Sequence, residues 1–380
     1  MAGIYLHIPF CKQACFYCDF HFSTSLQKKD ELVSCMVKEL EIRKDELADE
    51  QIETIYFGGG TPSLLSADEI ETLLDVIHKN YKVIDNPEIT LEANPDDLSI
   101  RKQSRTIFET YKSAGINRLS IGVQSFFEED LKSMNRAHNS KEAKECLSEA
   151  TRYFDNITID LIYGVPNMTN ERWRENLQIA FDFGINHISS YALTVEPQTA
   201  LHSFIRNGKY PAPDETVAKN HFDILVEETA KNGFVHYEIS NFGKPDFFSK
   251  HNTSYWLGKK YIGIGPSAHS FSKTHRSWNI ANNTKYLKSM QKNILPSEKE
   301  KLTPKDQFNE YLMTGLRTIW GVSFDKINDD FKEMLLKSSK KFIDEGLLEI
   351  VIDLNGEKKL KTTKKGKFLA DGLASELFLI

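Results

Sequence analysis

The chain has 380 residues, 40% of them hydrophobic and 27% charged, which is enough apolar material for two or three buried cores and excludes a disordered polymer. No apolar run nears the roughly 18 residues that cross a bilayer. The first residues also lack the basic flank and apolar segment of a leader, so membrane insertion is not expected and the mature protein should begin at or near Met1. Forty-eight basic against 54 acidic residues give a net charge of -6 and a pI near 6.0, which argues against a nucleic-acid partner held by overall charge.

Six apolar, β-rich runs follow in chain order: Ile4 to Pro9, Thr54 to Phe57, Ile89 to Glu92, Leu119 to Val123, Ile157 to Ile162 and His187 to Leu193. A helical pattern follows each, so the sequence predicts an α/β fold built on a partial (βα)6 barrel of parallel strands. Residues of chemical character stand just after these runs: Cys11 to Cys18, Gly58 to Thr61, Asn94 and Pro95, Gln124, and Gly164 to Pro166. Parallel α/β folds place their sites at that end of the strands, which predicts one shared cavity there.

Residues 1–233 are read as this barrel core. Residues 234–300 read as an irregular extension rich in Gly, His and aromatics; it contains HNTSYW, His251 to Trp256, and YIGIGPSAHS, Tyr261 to Ser270, and is expected beside the barrel opening. Residues 301–380 return to helical patterns around a hairpin, Leu347 to Leu354 and Lys358 to Thr362 about the Asn355-Gly356 pair, which predicts a small winged-helix-like domain. Ten lysines against six acids from Lys332 to Lys367 make it locally basic, and a solvated lysine face explains this at least as well as a nucleic-acid surface.

Of five cysteines, Cys11, Cys15 and Cys18 stand in C-x3-C-x2-C spacing directly after the first run. Such crowding is a ligand arrangement of a reducing, cytoplasmic compartment rather than a disulfide framework. Zinc would need a fourth ligand from His7 or His21, whereas a [4Fe-4S] cluster on three thiolates keeps one iron open. Gly58, Gly59 and Gly60 end the second run, where missing Cβ atoms admit a ligand close to the backbone. Cys35 and Cys146, in predicted helices, read as small buried apolar residues.

The cysteine spacing after a strand, followed by Gly-Gly-Gly-Thr-Pro, resembles the radical S-adenosylmethionine (SAM) superfamily. The resemblance implies that Cys11, Cys15 and Cys18 hold a [4Fe-4S] cluster whose open iron chelates SAM, and that the reduced cluster cleaves SAM to methionine and a 5'-deoxyadenosyl radical. It implies a SAM site made by Tyr5, Tyr17, Gly59, Gly60, Thr61, Glu92, Gln124, Arg136, Asp160 and Ala192. Carboxylates there suit ribose hydroxyls, and an arginine suits a carboxylate.

YLHIPFC, YFGGGTPS, SIGVQSF, DLIYGVP and the C-terminal helices with their wing extend the resemblance over nearly the whole chain, to the coproporphyrinogen III oxidase-like branch. That branch holds oxygen-independent dehydrogenases, which decarboxylate coproporphyrinogen III, and heme chaperones. The dehydrogenases carry a further cysteine two residues after the triplet, where this chain has Phe20, and a long extension before it, where this chain has ten residues. HNTSYW matches the H-N-x-x-Y-W pattern associated with heme in the chaperones, which makes His251 the expected axial ligand.

The expectation is therefore a chaperone that binds heme, a [4Fe-4S] cluster and SAM and delivers heme to acceptor hemoproteins, respiratory ones by the resemblance. The dehydrogenase is the alternative, and a nucleic-acid-modifying radical SAM protein is a more distant one. No residue is assigned a catalytic role, and His7 and His269 are assigned none at all. A homodimer contact near the cluster loop is a further expectation.

Overall fold

The computed structural model describes residues 1–98 and 106–379. The six runs form β1 (Ala2–Ile8), β2 (Ile52–Gly59), β3 (Val83–Ala93), β4 (Arg118–Gln124), β5 (Ile157–Tyr163) and β6 (His187–Ala192), paired parallel in chain order. Alternation sorts their side chains. Ile4, Leu6 and Ile8 of β1 and Leu119, Ile121 and Val123 of β4 are fully buried in one apolar core shared with the helices. Each such burial contributes about 1.5–3 kcal/mol.

The other face is polar. Register sets Tyr5 beside Tyr56, Thr54 beside Glu88, Glu92 beside Ser120, and Asp160 beside Ser189. These groups satisfy one another: Arg118 donates to Thr158, and Thr158 shares a 2.9 Å hydrogen bond with His187. Left unpaired at this depth, each would cost about 1–3 kcal/mol. The loop after β1 reaches round to the far strands, where Phe16 N donates to Met134 O (3.2 Å) and Leu201 N donates to Phe16 O (2.8 Å). The sheet is thus curled into a partial barrel.

Residues 234–300 correct the reading of an irregular extension. β7 (Val235–Glu238) and β8 (Asn241–Gly243) continue the sheet antiparallel beyond β6. On the opposite edge β9 (Lys260–Ile264) pairs parallel with β1, and β10 (His269–Phe271), β11 (His275–Asn279) and β12 (Ser297–Lys301) follow antiparallel, giving twelve strands in one sheet among the described residues. Strands of three to five residues are too short to show a period in sequence. Gly263 permits the close β9–β10 approach, since a Cβ there would lie 2.2 Å from His269 O.

Between these additions the helix Lys250–Trp256 closes the N-terminal end of the strands. Glu88 accepts from Lys250 N (3.1 Å) and His251 N (3.0 Å), placing a carboxylate at the positive end of that helix.

The C-terminal unit contains helices Pro304–Leu316 and Asp329–Asp344 and a small antiparallel sheet of β13 (Val322–Ser323), β14 (Leu348–Ile352) and β15 (Lys358–Thr362). The Asn-Gly turn between β14 and β15 has Gly356 at φ +82°. Leu312, Leu316, Val322 and Leu360 anchor a separate apolar cluster. The unit docks on the barrel through Ile319 N, which donates to Tyr237 O (3.0 Å), and through the Phe222 and Phe368 rings, 5.2 Å apart. Among the described residues no helix is long and apolar enough to cross a membrane.

Candidate functional site

At the C-terminal ends of the strands lies a cavity of about 430 Å³. Its wall brings together Cys11, Cys15, Tyr17, Cys18, Gly59, Gly60, Thr61, Glu92, Gln124, Arg136, Asp160 and Ala192. The cysteine loop is pinned at both ends: Cys11 N donates to Ser23 O (3.1 Å), and Ser23 N to Pro9 O (2.9 Å). Gly60 underlies it, and a Cβ there would stand 2.6 Å from Phe10 O. Gly59, at φ +109°, turns the chain in a conformation that side chains rarely adopt. Gln124 adopts φ +64° at the end of β4, and so does carry such strain.

Arg136 organises one side. Its Nη1 lies 3.3 Å from Cys15 Sγ and 3.4 Å from Tyr17 Oη, and its Nη2 donates to Asn94 Oδ1 (2.6 Å) and Gly122 O (2.8 Å). Its buried Nε has no partner among the described residues. Opposite, Glu92 accepts from Tyr56 Oη (2.8 Å) and Gly59 N (3.2 Å). Burial pushes the Glu92 carboxyl up to about 7, with the Asp160 charge adding to it. Burial likewise lifts Asp160 to about 6, against the pull of Arg136 and Arg118. Burial raises the Cys11 thiol and takes Cys18 to about 11, where Cys15 and Cys11 add to the effect. Metal binding has to displace those protons.

Among the described residues no three His, Cys, Asp or Glu side chains converge on a point as one metal ion requires. The three thiols instead share one wall, which fits a cluster in which each sulfur serves a different iron. For SAM, the Arg136 guanidinium suits a carboxylate, Glu92 and Asp160 suit hydroxyls, and the glycines let a ligand approach the backbone.

Two of the residues read as binding lie outside this cavity. Tyr5 sits beneath it, its hydroxyl 3.2 Å from His7 Nδ1 and its ring 6.1 Å from that of Tyr56. His251 corrects the expectation of a residue beside the opening: it lies at the opposite, N-terminal end and is 1% exposed. Its Nδ1 is 2.8 Å from Thr54 Oγ1, its Nε2 is 2.7 Å from Tyr255 Oη, and Tyr56 stacks on it at 4.9 Å. Burial lowers it to about 3. As folded, neither ring nitrogen is free for iron. The physical reason is the short helix Lys250–Trp256, which tucks its first turn against Glu88 and carries the imidazole inward.

Sequence reasoning missed Tyr56 and Tyr191. Tyr56 shares an inward-facing register with Thr54 and Gly58, a period-2 signal that would have exposed it. Tyr191, 46% exposed, and Phe20, 66% exposed, frame the cavity mouth. His7 is buried with its Nε2 3.1 Å from His21 O, and Cys35 and Cys146 are buried away from the thiol loop.

Residues 5–180 match the family model of the radical SAM superfamily, and residues 302–369 match that of the HemN C-terminal domain. Fold and site together define a radical SAM protein with a HemN-type C-terminal unit. The solved structure of coproporphyrinogen III oxidase (HemN) from Escherichia coli superposes with a TM-score of 0.82 over 99% of this chain and 90% of that one, at 22% identity, and so supports the fold. The chain is 32% identical to the heme chaperone HemW of Bacillus subtilis (strain 168), over 98% of this chain and 97% of that protein. It is 31% identical to the heme chaperone HemW of Mycobacterium tuberculosis (strain ATCC 25618 / H37Rv), over 99% and 94%. It belongs to the HemW family within the radical SAM superfamily, and that membership implies a [4Fe-4S] cluster and SAM.

Proposed function

We propose that the protein binds heme and passes it to acceptor hemoproteins, while holding a [4Fe-4S] cluster on Cys11, Cys15 and Cys18 and SAM in the adjoining cavity. The observation that carries this reading is the 32% identity to a heme chaperone across 98% of the chain, a span that includes both HNTSYW and the C-terminal unit. In this reading Arg136 orients the SAM carboxylate, Glu92 and Asp160 hold hydroxyls, Gly59, Gly60 and Thr61 supply backbone and hydroxyl contacts, and Tyr17, Gln124 and Ala192 complete the wall. Tyr5 supports that wall from below through His7 and Tyr56. The bound cluster supplies low-potential electron transfer to SAM. A cytoplasmic setting, respiratory acceptors and the division into units of 1–233, 234–300 and 301–380 belong to the same proposal. A dimer contact at the cluster loop belongs to it too.

The test is anaerobic reconstitution followed by heme titration, heme transfer to an apo-hemoprotein, and coproporphyrinogen turnover on one preparation. Stoichiometric binding and transfer without a vinyl product is the expected result. SAM-dependent decarboxylation would instead favour the dehydrogenase. Phe20 at the mouth, in place of a thiol, speaks against that chemistry.

A further inference from the structure

The short segment that follows β3, Asn94 to Asp97, ties together the separate parts of the chain that build the thiol-lined cavity. Asn94 Nδ2 donates to Thr61 Oγ1 (3.2 Å), and Asn94 Oδ1 accepts from Arg136 Nη2 (2.6 Å). Arg136 in turn meets Cys15 Sγ. Asp97 makes the other set of ties: its Oδ2 accepts from Ser63 Oγ (2.7 Å), on the turn that carries Thr61, and its Oδ1 pairs with the ammonium of Lys12, the neighbour of Cys11. Lys12 also donates to Asp96 Oδ2 (3.0 Å). One segment thus grips the cysteine loop beside Cys11 and at Cys15, and the glycine turn at Thr61 and Ser63.

Burial decides whether these contacts matter. An ion pair between exposed side chains is worth about 0–1 kcal/mol, and the Lys12 side chain, 38% exposed, would by itself belong to that class. Asp97 does not: its side chain is 3% exposed, it lies beside the like charge of Asp96, and Lys12 supplies the cation against it. Without Lys12 that buried charge loses its counterion, and the cysteine loop loses a tie. Residues 11–22 form neither helix nor strand, so their position depends on such ties.

Resting on the cluster and SAM assignments above, we infer that residues 94–97 are a hub that sets the cysteine loop against the SAM wall, with Lys12 and Asp97 as its positioning residues. Neither side chain lines the cavity. Each acts through a neighbour that does: Lys12 through Cys11, and Asp97 through Lys12 and the turn that carries Thr61. Backbone hydrogen bonds already pin the ends of the cysteine loop, so loss of the hub leaves the thiols within reach of one another and loosens their alignment with Arg136 and Thr61. The effect falls on SAM binding more than on cluster assembly.

The test uses the full chain, reconstituted anaerobically and reduced, and reads bound iron together with the SAM concentration that half-converts the electron paramagnetic signal of the cluster. Lys12→Met and Asp97→Asn are each expected to keep the wild-type iron content and to raise that concentration about tenfold, as the loss of a supporting residue does at other metal sites. Asp97→Asn keeps an acceptor for Ser63 and so cuts the Lys12 arm alone. Lys12→Arg, which keeps the charge, is expected to retain the wild-type value. Lys12→Met/Asp97→Asn is expected to do no worse than either single variant, because both remove the same ion pair. Lys12 is part-exposed, so Lys12→Met decides the matter even where Asp97→Asn fails to fold. An unchanged SAM requirement in Lys12→Met, or fully additive losses in the double variant, overturns the hub and leaves the cofactor assignment intact. Failure of wild type to load iron or to respond to SAM overturns that assignment and the hub with it.

Discussion

Both ends of the barrel carry side chains able to act as ligands, yet at one end they line an open cavity and at the other they are bonded to one another. At the C-terminal end, three part-exposed thiols line a cavity together with Arg136, Glu92 and Asp160. At the N-terminal end, the helix Lys250–Trp256 fills the opening, and His251, Thr54, Tyr255 and Glu88 bond to one another. A ligand-type side chain becomes a ligand when some of its bonding capacity is left unspent. The short helix Lys250–Trp256 covers one end and leaves the other open.

Four predictions would sharpen or break that contrast. The largest effect is expected at the open end: Cys11→Ala, Cys15→Ala or Cys18→Ala should each abolish cluster assembly, read as iron and sulfide content after reconstitution, whereas Cys35→Ala and Cys146→Ala should retain it. At the closed end, Glu88→Ala leaves Arg118 buried without the carboxylate 3.8 Å away and removes the acceptor for two helix N–H groups. It should cost about 3–5 kcal/mol in denaturant titration. A loss under about 1 kcal/mol would show that the plug is loosely held.

Glu92→Gln should act in the opposite sense on the cluster-free protein. The folded-state pKa of Glu92 is raised from 4.5 to about 7, so the folded form retains a proton that the unfolded form releases, and wild-type stability falls as pH rises through that window. The variant should match wild type near pH 4.5 and exceed it above pH 7, by up to about 3 kcal/mol. An equal gap at both pH values would mean that the carboxylate is ionised throughout. The smallest effect is expected for Gly60→Ala, whose Cβ would meet the Phe10 and Ile8 carbonyls; a loss of about 1–3 kcal/mol should appear as a lowered thermal midpoint.

Much of the open end was legible in the sequence because several of its parts end or follow a β-rich run: the thiols after β1, the glycines ending β2, Gln124 ending β4. The position of a residue after a parallel strand is enough to place it at that end. The closed end was not legible, because its contacts cross the chain. His251 meets Thr54 across 197 residues and Glu88 across 163, and a local pattern carries no trace of such pairing. The short strands β7 to β12 escaped for the related reason that their regularity comes from neighbours in the sheet. Tyr56 was the avoidable omission, since alternation along β2 already marked it.

The added strands also determine how the sheet ends. β12 reads Ser-Glu-Lys-Glu-Lys, and every one of its residues is exposed. An outermost strand with free amide groups is a template on which another chain can extend the sheet, and alternating charges with two lysines make it a poor one. Replacing Lys299 and Lys301 by valine would turn that margin into a site for polymerisation without touching the thiol-lined cavity.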